Sequence, residues 1–143
     1  MATLKAKLFL QASQFAELQA LLGSSPSNFR WFDVQLPQAQ ATFPAVTVNQ
    51  IGAPRMYVTN GRLSTYFARV QFTIYGSGND SQNAAAVTAA LEDFLAVFNA
   101  TAVQNAPTYP NTIVGDKDFG IAATQPLTYM RVIDAMIFND ENA

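Results

Sequence analysis

Apolar and polar residues alternate without a slip from Ala68 to Tyr75. Ala68, Val70, Phe72 and Ile74 share one parity, and Arg69, Gln71, Thr73 and Tyr75 share the other. A period of two is that of a β-strand, so the first set predicts a buried face. The second set is polar and aromatic-tipped, a face to meet water or another subunit. The run stops at Gly76-Ser77-Gly78, a turn signal, and either Asp80 or Ser81 is placed to cap a helix. From there the period changes. Ala84, Val87, Leu91, Phe94, Leu95 and Phe98 form a helical stripe that carries the helix to about Asn99, where the proline-rich APTYPN ends it.

Upstream, Leu4, Leu8, Ala12, Phe15, Leu18 and Leu22 fall on one stripe of a single predicted helix, with Gly23 as its C-terminal stop. A loop at SSPSN follows, then FRWFDVQ as a short strand ended by Pro37, then QAQAT as a surface connection. Residues 43–51, FPAVTVNQI, read as a strand and residues 62–75 as its hairpin partner, with Asn60-Gly61 the preferred pair for a two-residue turn. A hairpin centred there sets Val48 against Thr73 and Val46 against Tyr75, which mismatches the faces. One extra residue at Gly52-Ala53-Pro54 restores Val46 to Ile74 and Val48 to Phe72, and Pro54 cannot donate to a ladder in any case. The expected hairpin is long, kinked near 52–54, with its tip (Met56 to Ser64) projecting past the core sheet.

The C-terminal stretch NTIVGDKDFGIAATQPLTYMRVIDAMIFND holds one or two strands. In the last, Met130, Val132, Asp134, Met136 and Phe138 alternate with Arg131, Ile133, Ala135 and Ile137, so both faces are largely apolar and the strand is central or doubly covered. The order of elements predicts an α+β fold: a mostly antiparallel β-sheet with two α-helices packed on one face and a long projecting β-hairpin. Residues 1–143 are expected to form a single domain.

Charge changes the picture. Only 13% of the 143 residues are charged, about half the usual share of roughly 25%. Half the residues are hydrophobic, so subunit contacts are the simplest way to cover the surface. The net charge of −2 argues against nonspecific duplex binding. Residues 1–72 hold six of the eight basic residues, and residues 73–143 hold eight of the ten acidic ones. Two expectations compete: opposite halves that meet head to tail in a ring, or one fold in which the charges intermingle. The apolar runs of the N-terminus are short and broken by Gln11, Ser13, Gln14, Glu17 and Gln19, unlike a signal peptide or a spanning helix, which points to a soluble, unprocessed chain.

Candidate chemistry is sparse. The chain has no histidine and no cysteine, which removes Ser-His, Cys-His and zinc mechanisms and any disulfide framework. Asp116 and Asp118 are two apart in an expected turn; a solvated loop is favoured over a weak site for a hard cation. Glu92 and Asp93 read as surface charges. GSGND lacks the Lys-Ser/Thr of a phosphate cradle and reads as a turn. Tyr66, Phe67, Phe72 and Tyr75 with Arg62 and Arg69 have the composition of a base-stacking sheet, but Phe72 belongs to the core and no RNP-like motif accompanies it. The expectation is no enzyme, with no catalytic residues, no cofactor and no metal.

FPAVTVNQ, the strand ending RVQFTIYG and the capped alanine-rich helix SQNAAAVTAALEDFLAVF together resemble the tail terminator and tail-completion (head–tail joining) proteins of tailed bacteriophages. The resemblance covers roughly residues 1–100; the tip at 55–66 and the segment beyond 105 depart from it. It implies a homo-oligomeric, hexameric ring that caps the tail tube, stops its polymerisation and joins it to the head connector. The implied partners are further copies of the chain, the tail-tube protein and the head–tail connector protein. Phage DNA would pass through the lumen without specific binding, and no membrane is involved. The implied location is the tail–neck region of the virion, and the host cytoplasm during assembly. The hairpin-tip residues Arg55, Met56, Tyr57, Val58, Arg62 and Tyr66 are the expected subunit contacts. Two other readings stay open: another virion ring component, such as a connector or tail-tube subunit, and a small ligand-binding α+β domain with a pocket between helices and sheet.

Overall fold

The computed structural model describes residues 3–25, 27–33, 44–52, 57–58, 61–62, 65–77, 81–98, 112–124 and 127–140. Helices α1 (Leu4–Ala12) and α2 (Ala16–Leu22) precede strands β1 (Trp31–Asp33), β2 (Ala45–Gly52), β3 (Tyr57–Val58), β4 (Gly61–Arg62) and β5 (Thr65–Ser77). Helix α3 (Ser81–Val97) follows, then β6 (Thr112–Thr124) and β7 (Leu127–Asp140). The main sheet has five strands in the order β1-β2-β5-β7-β6, antiparallel except for the β1–β2 pair. This is an α+β fold, as the pattern of the sequence predicts. Among the described residues, no helix is long and apolar enough to cross a membrane.

The alternation in β5 does what its period requires. Ala68, Val70, Phe72 and Ile74 are fully buried under the helices, beside Val46 and Val48 of β2 and Ile133, Ala135 and Ile137 of β7. The ladder pairs Val46 with Ile74 and Val48 with Phe72, the register that the matching of faces demands. The extra residue is Ile51, between Gln50 and Gly52, just ahead of the expected Gly52-Ala53-Pro54. Leu91, Phe94 and Leu95 of α3 and Leu4, Leu8, Leu18 and Leu22 of the N-terminal helices close the same core. Phe94 is its aromatic hub, with ring centroids 5.6 Å from Phe15, 6.4 Å from Trp31 and 5.4 Å from Phe98.

Three expectations need correction. The N-terminal stripe is buried as predicted, but the helix breaks at Ser13. The Ser13 hydroxyl donates to the Leu10 carbonyl (2.9 Å), and the Gln19 amide donates to the Ser13 carbonyl (2.7 Å). These bonds give the backbone an alternative to the helical ladder, and Phe15, extended at φ −83° and ψ 118°, swings its ring onto Phe94. The hairpin tip also closes elsewhere. Tyr57 pairs with Arg62 and Val58 with Gly61, so the ladder flanks Thr59 and Asn60 rather than Asn60 and Gly61. Strand β5 stays bonded to β7 as far as Thr65–Asp140. Finally, Asp116 and Asp118 lie inside β6, not in a turn, where β7 pairing carries them.

The C-terminal stretch resolves into two strands. Strand β7 is central in the sheet, between β5 and β6. Its Ile133, Ala135 and Ile137 are buried, whereas Met130, Val132, Asp134, Met136 and Phe138 are only half-buried. It is therefore covered by helices on one face alone.

Gly23 ends α2 at φ 139°, and a Cβ there would sit 2.3 Å from the Asn28 carbonyl oxygen. Glycine is required on both counts. Seven residues on, the Arg30 guanidinium donates to the carbonyls of Leu21 (2.8 Å) and Pro44 (2.7 Å), tying the end of α2 to the start of β2.

Candidate interaction surfaces

Strand parity that sends one set of side chains under the helices sends the other to the open face of the sheet. There Gln71 lies opposite Asp134, Thr73 opposite Val132, Tyr75 opposite Met130 and Phe67 opposite Phe138. Phe67 is 43% exposed and packs edge-on against Phe138 at 5.1 Å, and the bulge residue Ile51 is 49% exposed. Arg69 Nη2 donates to Asp134 Oδ2 at 2.9 Å, while Asp134 Oδ1 is buried without a hydrogen-bond partner. The open face thus mixes exposed apolar and aromatic side chains with Gln71, Thr73 and, among the described residues, the Arg69–Asp134 ion pair. Its exposed apolar groups, Phe67 and Ile51, are the part that suits a contact surface.

The Arg69–Asp134 pair bears on the charge expectations. A base from the first half of the chain meets an acid from the second on neighbouring strands, so at this place the charges intermingle within one fold. Lys5–Asp33 and Arg131–Asp116, both 2.7 Å, lie within their own halves. On the helical side, Glu17 of α2 approaches Asp93 of α3. A hydrogen bond with the Asp93 carboxylate, together with partial desolvation and its charge, raises the Glu17 pKa above its ordinary value. Glu92 and Asp93 are exposed, as their positions predict.

The two edges differ. Strand β6 is long but its register slips three times, at Ile113/Gly115, Asp118/Gly120 and Ile121/Ala123. Bulges of this kind discourage a further strand from pairing along an edge. Strand β1 is only three residues long and lies beside α1. Between them is a cleft of about 340 Å³ whose walls include Phe9, Trp31, Phe32 and Val48, with Lys5 and Asp33 at its margin.

The sequence-predicted contact residues are dispersed. Tyr57, Val58 and Arg62 form the separate two-stranded β3–β4 ladder, but Tyr66 belongs to the main sheet, opposite Asn139. Arg55 and Met56 lie outside the described residues. A pocket between helices and sheet is one of the readings the sequence leaves open, but the walls of this cleft were not identified, because they come from three separate stretches. Its one visible signal was the aromatic density of FRWFD. Among the described residues, no group of three or more acidic side chains is placed to hold a metal ion.

No known protein-family profile and no curated protein matches the sequence. The fold, however, is similar to a chain in the solved virion of a native gene transfer agent particle, with a TM-score of 0.68 at 17% identity, over 96% of this chain and 92% of that one.

Proposed function

We propose that this chain is a structural subunit of a phage-like virion, and within it a tail terminator or tail-completion protein. The observation that carries the reading is likeness of fold over nearly the whole chain to a component of a gene transfer agent virion. The exposed Phe67 and Ile51 of the open face and the scarcity of charge support it, because both suit a subunit covered by neighbours. On this reading the protein is no enzyme and its mechanism is geometric. A ring of copies, six by the resemblance, presents one face to the last tail-tube ring and another to the head–tail connector. Tube growth stops there and the head docks. DNA crosses the lumen without specific binding, in keeping with a net charge of −2. The protein works in the tail–neck region of the virion after assembly in the host cytoplasm. The hairpin tip, Arg55 to Tyr66, remains a proposed contact within that assembly.

Light scattering of the purified chain over a concentration series tests the reading. A discrete species near six times 15.5 kDa, with a central hole in electron micrographs, is the expected result. Open-ended tubes would assign the chain to the tube itself. A monomer that stays so even with added tail tubes would overturn the proposal.

A further inference from the structure

One row of paired residues crosses the whole sheet: Asp33, Val48, Phe72, Ile133, Asp116. Its two ends carry matching equipment. At the β1 end the apolar cleft lies beside the Lys5–Asp33 ion pair, whose aspartate is 66% exposed. At the β6 end, beside the Arg131–Asp116 pair, Val114 is the extra residue of a bulge and is 51% exposed, and Ile113 next to it is 37% exposed. A cleft with an ion pair thus faces one way, and an aliphatic knob with an ion pair faces the other.

We propose that the occupant of the α1–β1 cleft is the Val114 bulge of a second copy of this chain. The contact is heterologous: each subunit offers its cleft to one neighbour and its bulge to the other, the arrangement from which a ring is built when its rotation closes. The inference rests on the ring reading and names its interface. The register slips in β6 oppose continuation of the sheet by backbone pairing, so the knob and the charges make the contact. Lys5 comes beside the neighbour's Asp116, and Asp33 beside the neighbour's Arg131. Opposite charges meet at both places. What a β1 end lacks for pairing with another β1 end is the exposed aliphatic knob that Val114 supplies at the β6 end.

The chain contains no cysteine, which makes the test direct. Ala6, an exposed residue of α1 at the cleft, and Val114 are changed to cysteine, singly and together, and treated with a short bis-maleimide. The double variant A6C/V114C is expected to give a ladder of dimer, trimer and higher species. A mixture of the two single variants should give dimers only, and either single variant alone none. Dimers from one single variant would mean a two-fold contact and overturn the proposal. A ring seen by light scattering without a ladder would overturn it too, while leaving the ring reading intact. Monomer without a ladder would remove both. As a second variant at an exposed site, Val114→Asp should move the assembly midpoint about tenfold or more to higher concentration, because it places a charge in an apolar cleft. Trp31, the only tryptophan and a wall of the cleft, should show a concentration-dependent change in fluorescence that this variant abolishes. An unchanged midpoint in Val114→Asp overturns the proposal.

Discussion

The two faces of the sheet are built from the same strands and obey different rules. Under the helices, Phe72, Ile74, Ile133 and Ile137 have no accessible surface. On the open face, one residue along in each strand, Thr73, Val132 and Met136 are half-buried around an ion pair. The first face specifies the fold. The second is free to specify what the fold meets, and substitutions should separate the two roles.

The largest contrast is expected between adjacent residues of β5. Phe72→Ala should lower the unfolding free energy by about 3–5 kcal/mol, since it opens a cavity at the centre of the core. Thr73→Ala should change it by no more than about 0.5 kcal/mol. Urea denaturation measures both, and equal effects would deny that one face is open. Next comes the attachment of the helical layer. Arg30→Met removes two charge-assisted bonds to the Leu21 and Pro44 carbonyls and should cost about 2–3 kcal/mol. On the open face, Arg69→Met strips Asp134 of its cation. Because Arg69 is half-exposed, about 1 kcal/mol is expected, with rescue when Asp134→Asn is added.

The smallest effect concerns Glu17. Its folded-state pKa is raised, so its contribution to stability is present below its unfolded pKa and is lost as pH rises through the folded one. Glu17→Gln should therefore be slightly the more stable protein at neutral pH. That advantage should fade as the solution is acidified into the carboxylate range, as thermal melts at the two pH values would record.

Those two faces also mark how far the sequence could be read. The β2–β5 register was legible to the residue, because Val46 and Val48 can reach the buried side only through a bulge. The last strand lies where its alternation predicts, whereas β6, interrupted by three bulges, hid its pattern, and Asp116 and Asp118 read as a turn. The break at Ser13 was not legible: its cause is a hydroxyl bonded within its own turn and a ring, Phe15, that packs on a helix far along the chain. Nor was the parallel pairing of β1, since three residues carry too little pattern to set direction. Surfaces were the least legible. The hairpin tip was chosen as a contiguous stretch, whereas the cleft joins residues from α1, β1 and β2 that no local pattern links.

The strand order has a kinetic consequence. Strands β2 and β5 are consecutive arms of one hairpin, and β6 and β7 of another, so each pair can form soon after its own residues are available. The central β5–β7 ladder joins partners 65 residues apart, as between Arg69 and Asp134. Closing so long a loop costs entropy that neither hairpin repays alone, which makes this docking the slow step. The core row from Val48 to Ile133 is then completed only when the final strand arrives. A nascent chain therefore lacks the finished sheet until β7, Leu127–Asp140, has been made. Any contact that uses both edges of that sheet must wait for this strand.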